Sequence, residues 1–264
     1  MNHLIVQTAI GPIYLVGQLY TDTSRPALVA VGGAWAPDEF NHELVDWFPG
    51  ASVLIAPLPG MGGSTTITFE PARLSVAMDE VIGLLLPGRS IVAYGASTGA
   101  LVTLGLRSPG ILRHVAVEPF FRTAPLWPLL KSVREFIAKA PEMSGGARAA
   151  EEIFGLAGDK VVDRDYRPLL EGLCVPTDVV LAQMPLEPER EMGGWPSLTS
   201  AEDRRRLADH PLVTLHNGPP DSRHDIAVTP EGSAIVKKVL LQALRAARDE
   251  AASPSRLPQA VGRP

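Results

Sequence analysis

Ser97 lies in Gly95-Ala96-Ser97-Thr98-Gly99, where the apolar run Ser90-Ile91-Val92-Ala93-Tyr94 breaks at glycine and the chain resumes with small residues. The G-x-S-x-G pattern lets a strand and a helix close over a sharp turn that holds its serine strained and exposed. A serine presented this way can act as a nucleophile, provided that a base takes its proton during the attack. Acyl transfer of this kind further needs an acid that fixes the base's tautomer, and donors for the developing oxyanion. Chance alone often produces the bare pattern, so its meaning rests on the flanks. Residues 91–94 read as a buried strand and residues 100–106 as a helix whose small start can pack tightly beneath it. Six histidines are available as base: His3, His42, His114, His210, His216 and His224.

The elements that must position these residues alternate along the chain. Residues 4–9 and 13–19 are β-branched and apolar around Gly11-Pro12, which predicts an amino-terminal hairpin. Residues 26–31, 51–56 and 90–94 are short continuous hydrophobic runs of the kind buried on both faces of a parallel sheet. Helical spacing occupies residues 37–48 and 71–86 between them. Strands are expected again at 114–117, 177–182 and 213–216, and helices at 199–209 and 230–248. This alternation with short connections predicts an α/β fold with a mostly parallel, doubly wound sheet, whose site lies at the strands' carboxyl edge. Gly32-Gly33, the glycine-rich loop at 57–64, Ser97 and Glu118 all fall at strand ends.

Residues 119–172 show no convincing strand but helical stretches at 126–140, 147–157 and 166–173, which predicts a helical lid inserted after the strand that ends at Glu118. The expected organisation is therefore a core of residues 1–118 and 173–248, a lid of 119–172 and a disordered tail of 249–264. At 264 residues no further domain is required. A formal charge of −5 without any basic run argues against nucleic acid or an anionic membrane as partner, and leaves a small molecule as the expected one. The amino terminus lacks a basic n-region and no run reaches membrane-spanning length, so a cytoplasmic location is expected. The single cysteine, Cys174, excludes an intramolecular disulfide and a cysteine metal cluster, and reads as a buried structural thiol. No metal-ligand spacing and no dinucleotide fingerprint is found, so no cofactor and no metal are expected.

The order of parts over residues 1–248 resembles the α/β-hydrolase fold superfamily. Val29-Ala30-Val31-Gly32-Gly33 is similar to its strand ending in an oxyanion loop, and Ala56-Pro57-Leu58-Pro59-Gly60-Met61-Gly62-Gly63-Ser64 to its D-x-P-G-x-G-x-S loop. The serine turn and His224-Asp225, in a loop after the last strand, complete the likeness. Two positions depart from it: Val31 stands where many members carry histidine, and Arg223 where many carry glycine.

The resemblance places the base at His224, in the polar Gly/Pro loop 217–226. The other histidines fall at unsuitable places, His114 among them because it opens a strand at the wrong end. For the acid two positions are open. Glu187 lies one residue beyond the usual site after the strand at 177–182, whereas Glu118 resembles the arrangement of the haloalkane dehalogenases. Glu118 is preferred, because a carboxylate ending the run Val115-Ala116-Val117 and followed by Phe120 and Phe121 is costly without a partner. The resemblance further implies oxyanion donors at the backbone N–H groups of Gly33 and Thr98. Trp35, Phe120 and Phe121, with Trp127 and Trp195, are candidates for an apolar substrate pocket. The expected function is a serine hydrolase that cleaves a small, largely apolar ester through an acyl-enzyme on Ser97, with a hydrolase-fold lyase or a non-catalytic ligand binder as alternative.

Overall fold

The computed structural model describes residues 1–36, 41–139, 144–158, 160–184, 186 and 195–252. The chain opens with strands β1 (Asn2–Thr8) and β2 (Gly11–Gln18), followed by β3 (Ala27–Val31), helix α1 (Glu43–Trp47) and β4 (Ser52–Ala56). Helix α2 (Pro71–Leu85), β5 (Ile91–Ala96), α3 (Thr98–Leu104) and β6 (Ile111–Val117) complete the first half. Then come α4 (Trp127–Lys139), α5 (Ser144–Glu152), the short strands β7 (Leu156–Ala157) and β8 (Lys160–Val161), and α6 (Arg167–Glu171). The chain closes with β9 (Thr177–Leu181), α7 (Ala201–Asp209), β10 (Val213–Asn217) and α8 (Pro230–Ala252).

Eight strands form one sheet in the order β1-β2-β4-β3-β5-β6-β9-β10. β1 and β2 pair antiparallel, as the hairpin around Gly11 requires, and β2 also runs antiparallel to β4. From β4 to β10 every pairing is parallel, so all six carboxyl ends share one edge. The chain steps from β3 outward to β4 and then returns to β5 on the other side of β3. That reversal opens a crevice between the ends of β3 and β5.

Alternation along the buried strands divides the core between two faces. Val29, Val31, Leu54 and Ala93 pack with Leu74, Met78 and Val81 of α2 and with Leu101 and Val102 of α3. Leu28, Ala30, Val53, Val92 and Val115 point the other way, onto Leu44 of α1 and Val236, Val239, Leu240 and Ala243 of α8. Each such large side chain, fully withdrawn from water, contributes about 1.5–3 kcal/mol, which is why these runs are almost wholly apolar. Pro71 opens α2 at a position that needs no intrahelical donor. Ser200 caps α7 by accepting from the Asp203 N–H at 3.1 Å.

The insertion is continuous with the first face of the core. Phe120, Leu126, Leu129, Leu130, Val133, Ala149, Ile153 and Phe154 are buried with Val31, Leu58 and Phe69. Glu152 of α5 accepts from Thr68 Oγ1 at 2.8 Å and from the Phe69 N–H, and pairs with Arg148 at 3.0 Å. Asp163 accepts from the N–H groups of Thr123 and Ala124 and pairs with Arg122.

Several expectations are corrected. The segment read as strand-free contains the β7–β8 hairpin, turned at Gly158 with φ +58°, a conformation that glycine adopts without strain. β6 begins at Ile111 rather than at residue 114, so His114 is a buried mid-strand residue. Cys174 is exposed, because it follows α6 in a surface turn and precedes β9. α8 continues to Ala252, because Arg248, Asp249, Glu250, Ala251 and Ala252 include neither glycine nor proline to stop it, and residues 249–252 are therefore helical rather than tail. The beginning of the helix expected at 37–48 and the tail from 253 lie outside the described residues.

Candidate active site

The turn at Ser97 is built by close approach. A β-carbon on Gly95 would lie 2.3 Å from the Gly99 carbonyl oxygen, and one on Gly99 would lie 2.2 Å from that of Val31 and 2.6 Å from that of Gly32. Only glycine allows α3 to start this near β3 and β5. Ser97 is consequently held at φ 55°, ψ −122°, with its N–H donating to the Val117 carbonyl at 2.8 Å. A strained backbone at a nucleophile-like position is the kind of cost that surrounding structure must impose.

Glu118 follows β6 with φ 51° and donates its N–H to the Val180 carbonyl at 2.9 Å. The loop after β10 leads to a short 3₁₀ turn at His224–Val228, which carries His224 over the edge of the sheet. Its Nε2 lies 3.0 Å from Ser97 Oγ, and its Nδ1 lies 3.4 Å from Glu118 Oε2. With the proton on Nδ1, the imidazole accepts from the serine and donates to the carboxylate.

The carboxylate is 1% exposed and surrounded by donors. Oε1 accepts from the Ala182 N–H at 2.6 Å and from Ser197 Oγ at 2.9 Å, and Oε2 accepts from the Leu198 N–H at 2.9 Å. Ser197 Oγ is also 2.7 Å from Nη2 of Arg204, which in turn donates to the Ala182 carbonyl at 2.6 Å. Burial pushes the Arg204 guanidinium pKa down, and the Glu118 charge opposes that shift. The stretch 195–198 also touches the histidine, since the His224 N–H donates to the Trp195 carbonyl at 3.1 Å. Sequence reading missed Ser197 and Arg204. Ser197 lies in a loop with no motif, and Arg204 sits in a run of three arginines that reads as a solvated helix face.

Gly33 lies across the crevice from the serine: a β-carbon there would come within 3.3 Å of Ser97 Cβ. Thr98, as the first residue of α3, has no acceptor for its N–H within the helix. Both expected oxyanion donors therefore flank Ser97, and the amino-terminal end of α3 adds a field favourable to negative charge.

The aromatic residues separate into groups. Trp35 stacks on Phe154 at 5.3 Å, Phe154 on Phe120 at 5.1 Å, and Tyr166 meets Phe120 edge-on at 6.0 Å. Trp35 takes φ 58°, unusual for so large a residue. Phe121 is not part of this stack. It is buried beneath α3 with Leu104, Leu170 and Leu207, because successive residues after the β6 end point to opposite sides. Trp195 is 41% exposed, with its ring 6.2 Å from that of His224. The Trp127 side chain and Glu187 lie outside the described residues. Among the described residues, no group of three or more His, Cys, Asp or Glu is placed to hold a metal ion, and no helix is long and apolar enough to cross a membrane.

The architecture is that of the α/β hydrolases, the fold class the chain shares with its structural neighbours. It superposes on a thermophilic esterase from Thermogutta terrifontis at 18% identity, covering 94% of this chain and 100% of that one with a TM-score of 0.63. The α/β hydrolase MGS-M2 from a Medee basin deep-sea metagenome library is 15% identical over 90% of this chain and 96% of its own, with a TM-score of 0.67. Carboxylesterase CesB from Bacillus subtilis is 12% identical over 91% and 90%, with a TM-score of 0.64. No family model matches the chain, and no curated protein sequence matches it significantly.

Proposed function

We propose that this protein is a serine-dependent hydrolase of small, largely apolar carboxylic esters, with Ser97 as nucleophile, His224 as base and Glu118 as the orienting acid. The observation that carries the reading is the unbroken sequence of contacts from Ser97 Oγ to His224 Nε2 at 3.0 Å and from Nδ1 to Glu118 at 3.4 Å. As Ser97 Oγ attacks the ester carbonyl, its proton passes to Nε2, and the charge on the former carbonyl oxygen meets the N–H groups of Gly33 and Thr98. Collapse breaks the bond to the alcohol oxygen, which leaves with the proton from Nε2. Water then attacks the acyl-enzyme, giving its proton to the same nitrogen, and the carboxylic acid is released as Ser97 is restored.

Esterase and carboxylesterase neighbours support the choice of ester, and the partly buried Trp35, two residues beyond Gly33, supports an apolar acyl or alcohol group. The segment 119–172 acts in this reading as the lid over the site. The test is turnover of a panel of p-nitrophenyl esters, thioesters and anilides by wild type, Ser97→Ala, His224→Ala and the double variant. Each single change should abolish ester turnover, and the double variant should be hardly worse than either. Independent, multiplicative losses would mean that the two residues do not act as a unit.

A further inference from the structure

We infer that Arg204, acting through Ser197, is the positioning residue that holds the Glu118 carboxylate in place for His224. The inference rests on the proposed roles of Ser97, His224 and Glu118, and extends them to a residue on α7.

Glu118 is buried at the sheet edge, where an uncompensated negative charge is expensive. Two main-chain N–H groups and one hydroxyl supply hydrogen bonds, but none supplies a positive charge. Arg204 does. Its guanidinium sits behind Ser197, whose Oγ is 2.7 Å from Arg204 Nη2 and 2.9 Å from Glu118 Oε1. With the Arg204 N–H donating to Ser197 Oγ, the hydroxyl proton has one strong acceptor, the carboxylate. Arg204 thus fixes the hydroxyl's direction as well as compensating the charge.

The neighbouring charges on α6 and α7 are engaged elsewhere. Asp203, its neighbour on α7, is turned to its own cap at Ser200. Arg167 and Arg206 are engaged with Glu202, and Arg167 also with Asp165. Arg223 and Asp225 flank His224 in the chain, and Asp178 is paired with His216 at the far edge of β9. Among the described residues Arg204 forms no direct ion pair, so Glu118 is the acid whose field it feels. It is tied down besides by the Thr199 and Ala182 carbonyls, which leaves the guanidinium little freedom to swing to solvent. The stretch 195–198 carries the shared hydroxyl and also accepts the His224 N–H.

The test is a double-variant cycle of Arg204→Met and Glu118→Gln, with Arg204→Lys as the charge-preserving control. Arg204→Met should lower kcat/KM by about 10- to 100-fold, the range expected for one charge-assisted hydrogen bond, with the loss in kcat rather than KM. Arg204→Lys should recover most of it. Added to Glu118→Gln, Arg204→Met should cost less than about threefold more, because a neutral amide no longer needs the compensating charge. Multiplicative losses would overturn the inference, as would a full loss in Arg204→Lys.

A second readout does not depend on activity. The imidazole Nδ1 proton shared with Glu118 should give a downfield proton NMR signal that weakens or shifts in Arg204→Met and returns in Arg204→Lys. An unchanged signal in a folded Arg204→Met would overturn the inference even if ester turnover were found. Absent turnover with the expected spectral change would instead refute the proposed reaction and leave the network standing. Should Arg204→Met fail to fold, Ser197→Ala removes the shared atom and carries the same two readouts.

Discussion

His224 Nδ1 lies 3.4 Å from Glu118 Oε2, a carboxylate 106 residues earlier in the chain that receives hydrogen bonds from Ala182, Ser197 and Leu198. In the proposed site the acid comes from the end of β6, beside the serine strand, and its carboxylate oxygens are held by these donors. Replacing it by its amide keeps the shape but favours the wrong imidazole tautomer. Glu118→Gln should therefore lose up to about 10⁴-fold in ester turnover, while Glu187→Gln stays within a few-fold of wild type. A mild Glu118→Gln beside a severe Glu187→Gln would move the acid to the loop after β9.

The second prediction concerns the turn beneath the nucleophile. A β-carbon on Gly99 would meet two carbonyl oxygens of β3's end at 2.2 and 2.6 Å, and backbone atoms cannot give way as a flexible side chain can. Gly99→Ala should separate α3 from β3, displace Gly33 from Ser97, and yield protein that is insoluble or lacks turnover. A soluble, fully active Gly99→Ala would contradict the close approach.

Phe154 offers a test of how the insertion is attached. It is buried between Trp35 and Phe120, stacking on both. Phe154→Ala should lower the unfolding free energy in urea by about 3–5 kcal/mol. A loss under about 1 kcal/mol would show that the insertion is not part of the common core.

A fourth prediction follows from His114, whose buried ring lowers its pKa from 6.5 to about 4, chiefly through desolvation and further through the charge of Arg107. Above pH 6.5 the ring is neutral both folded and unfolded, so its titration adds no cost there. As the pH falls from 6.5 towards 4 the unfolded chain binds a proton that the native state refuses, so stability is lost across that window, by about 3 kcal/mol at most. Melting temperatures at about pH 7.5 and about pH 4.5, either side of most of that window, should therefore differ less in His114→Leu than in wild type. An equal difference would mean that the buried ring does not contribute to the acid sensitivity.

What the sequence makes legible is what local periodicity and chain order encode. The buried runs of β3, β4 and β5 are unmistakable because strands covered on both faces must be apolar throughout, and the Ser97 turn is marked by two glycines that sterics require. His224 is reachable because it lies in the polar Gly/Pro loop between the last strand and the last helix, where the resemblance places the base. The surroundings of Glu118 are not reachable in the same way. Ser197 is 79 residues from it and has meaning only once β9 pairs with β6. Arg204 looks like its exposed neighbours Arg205 and Arg206, since nothing in a run of like residues tells which one turns inward. Phe121 and Phe120 are adjacent and chemically alike, yet one joins the core under α3 and the other the aromatic stack, a choice made by backbone direction after β6.

Acylation of Ser97 is the step on which the proposed hydrolysis rests. Incubation of the folded protein with a fluorophosphonate, followed by digestion and mass spectrometry, reads this directly, because the reagent forms a stable adduct only with an activated hydroxyl. One adduct per chain is expected, on the peptide carrying Ser97, absent in Ser97→Ala and strongly slowed in His224→Ala. A folded wild-type protein that takes up no label, or labels elsewhere with equal speed in Ser97→Ala, would contradict it.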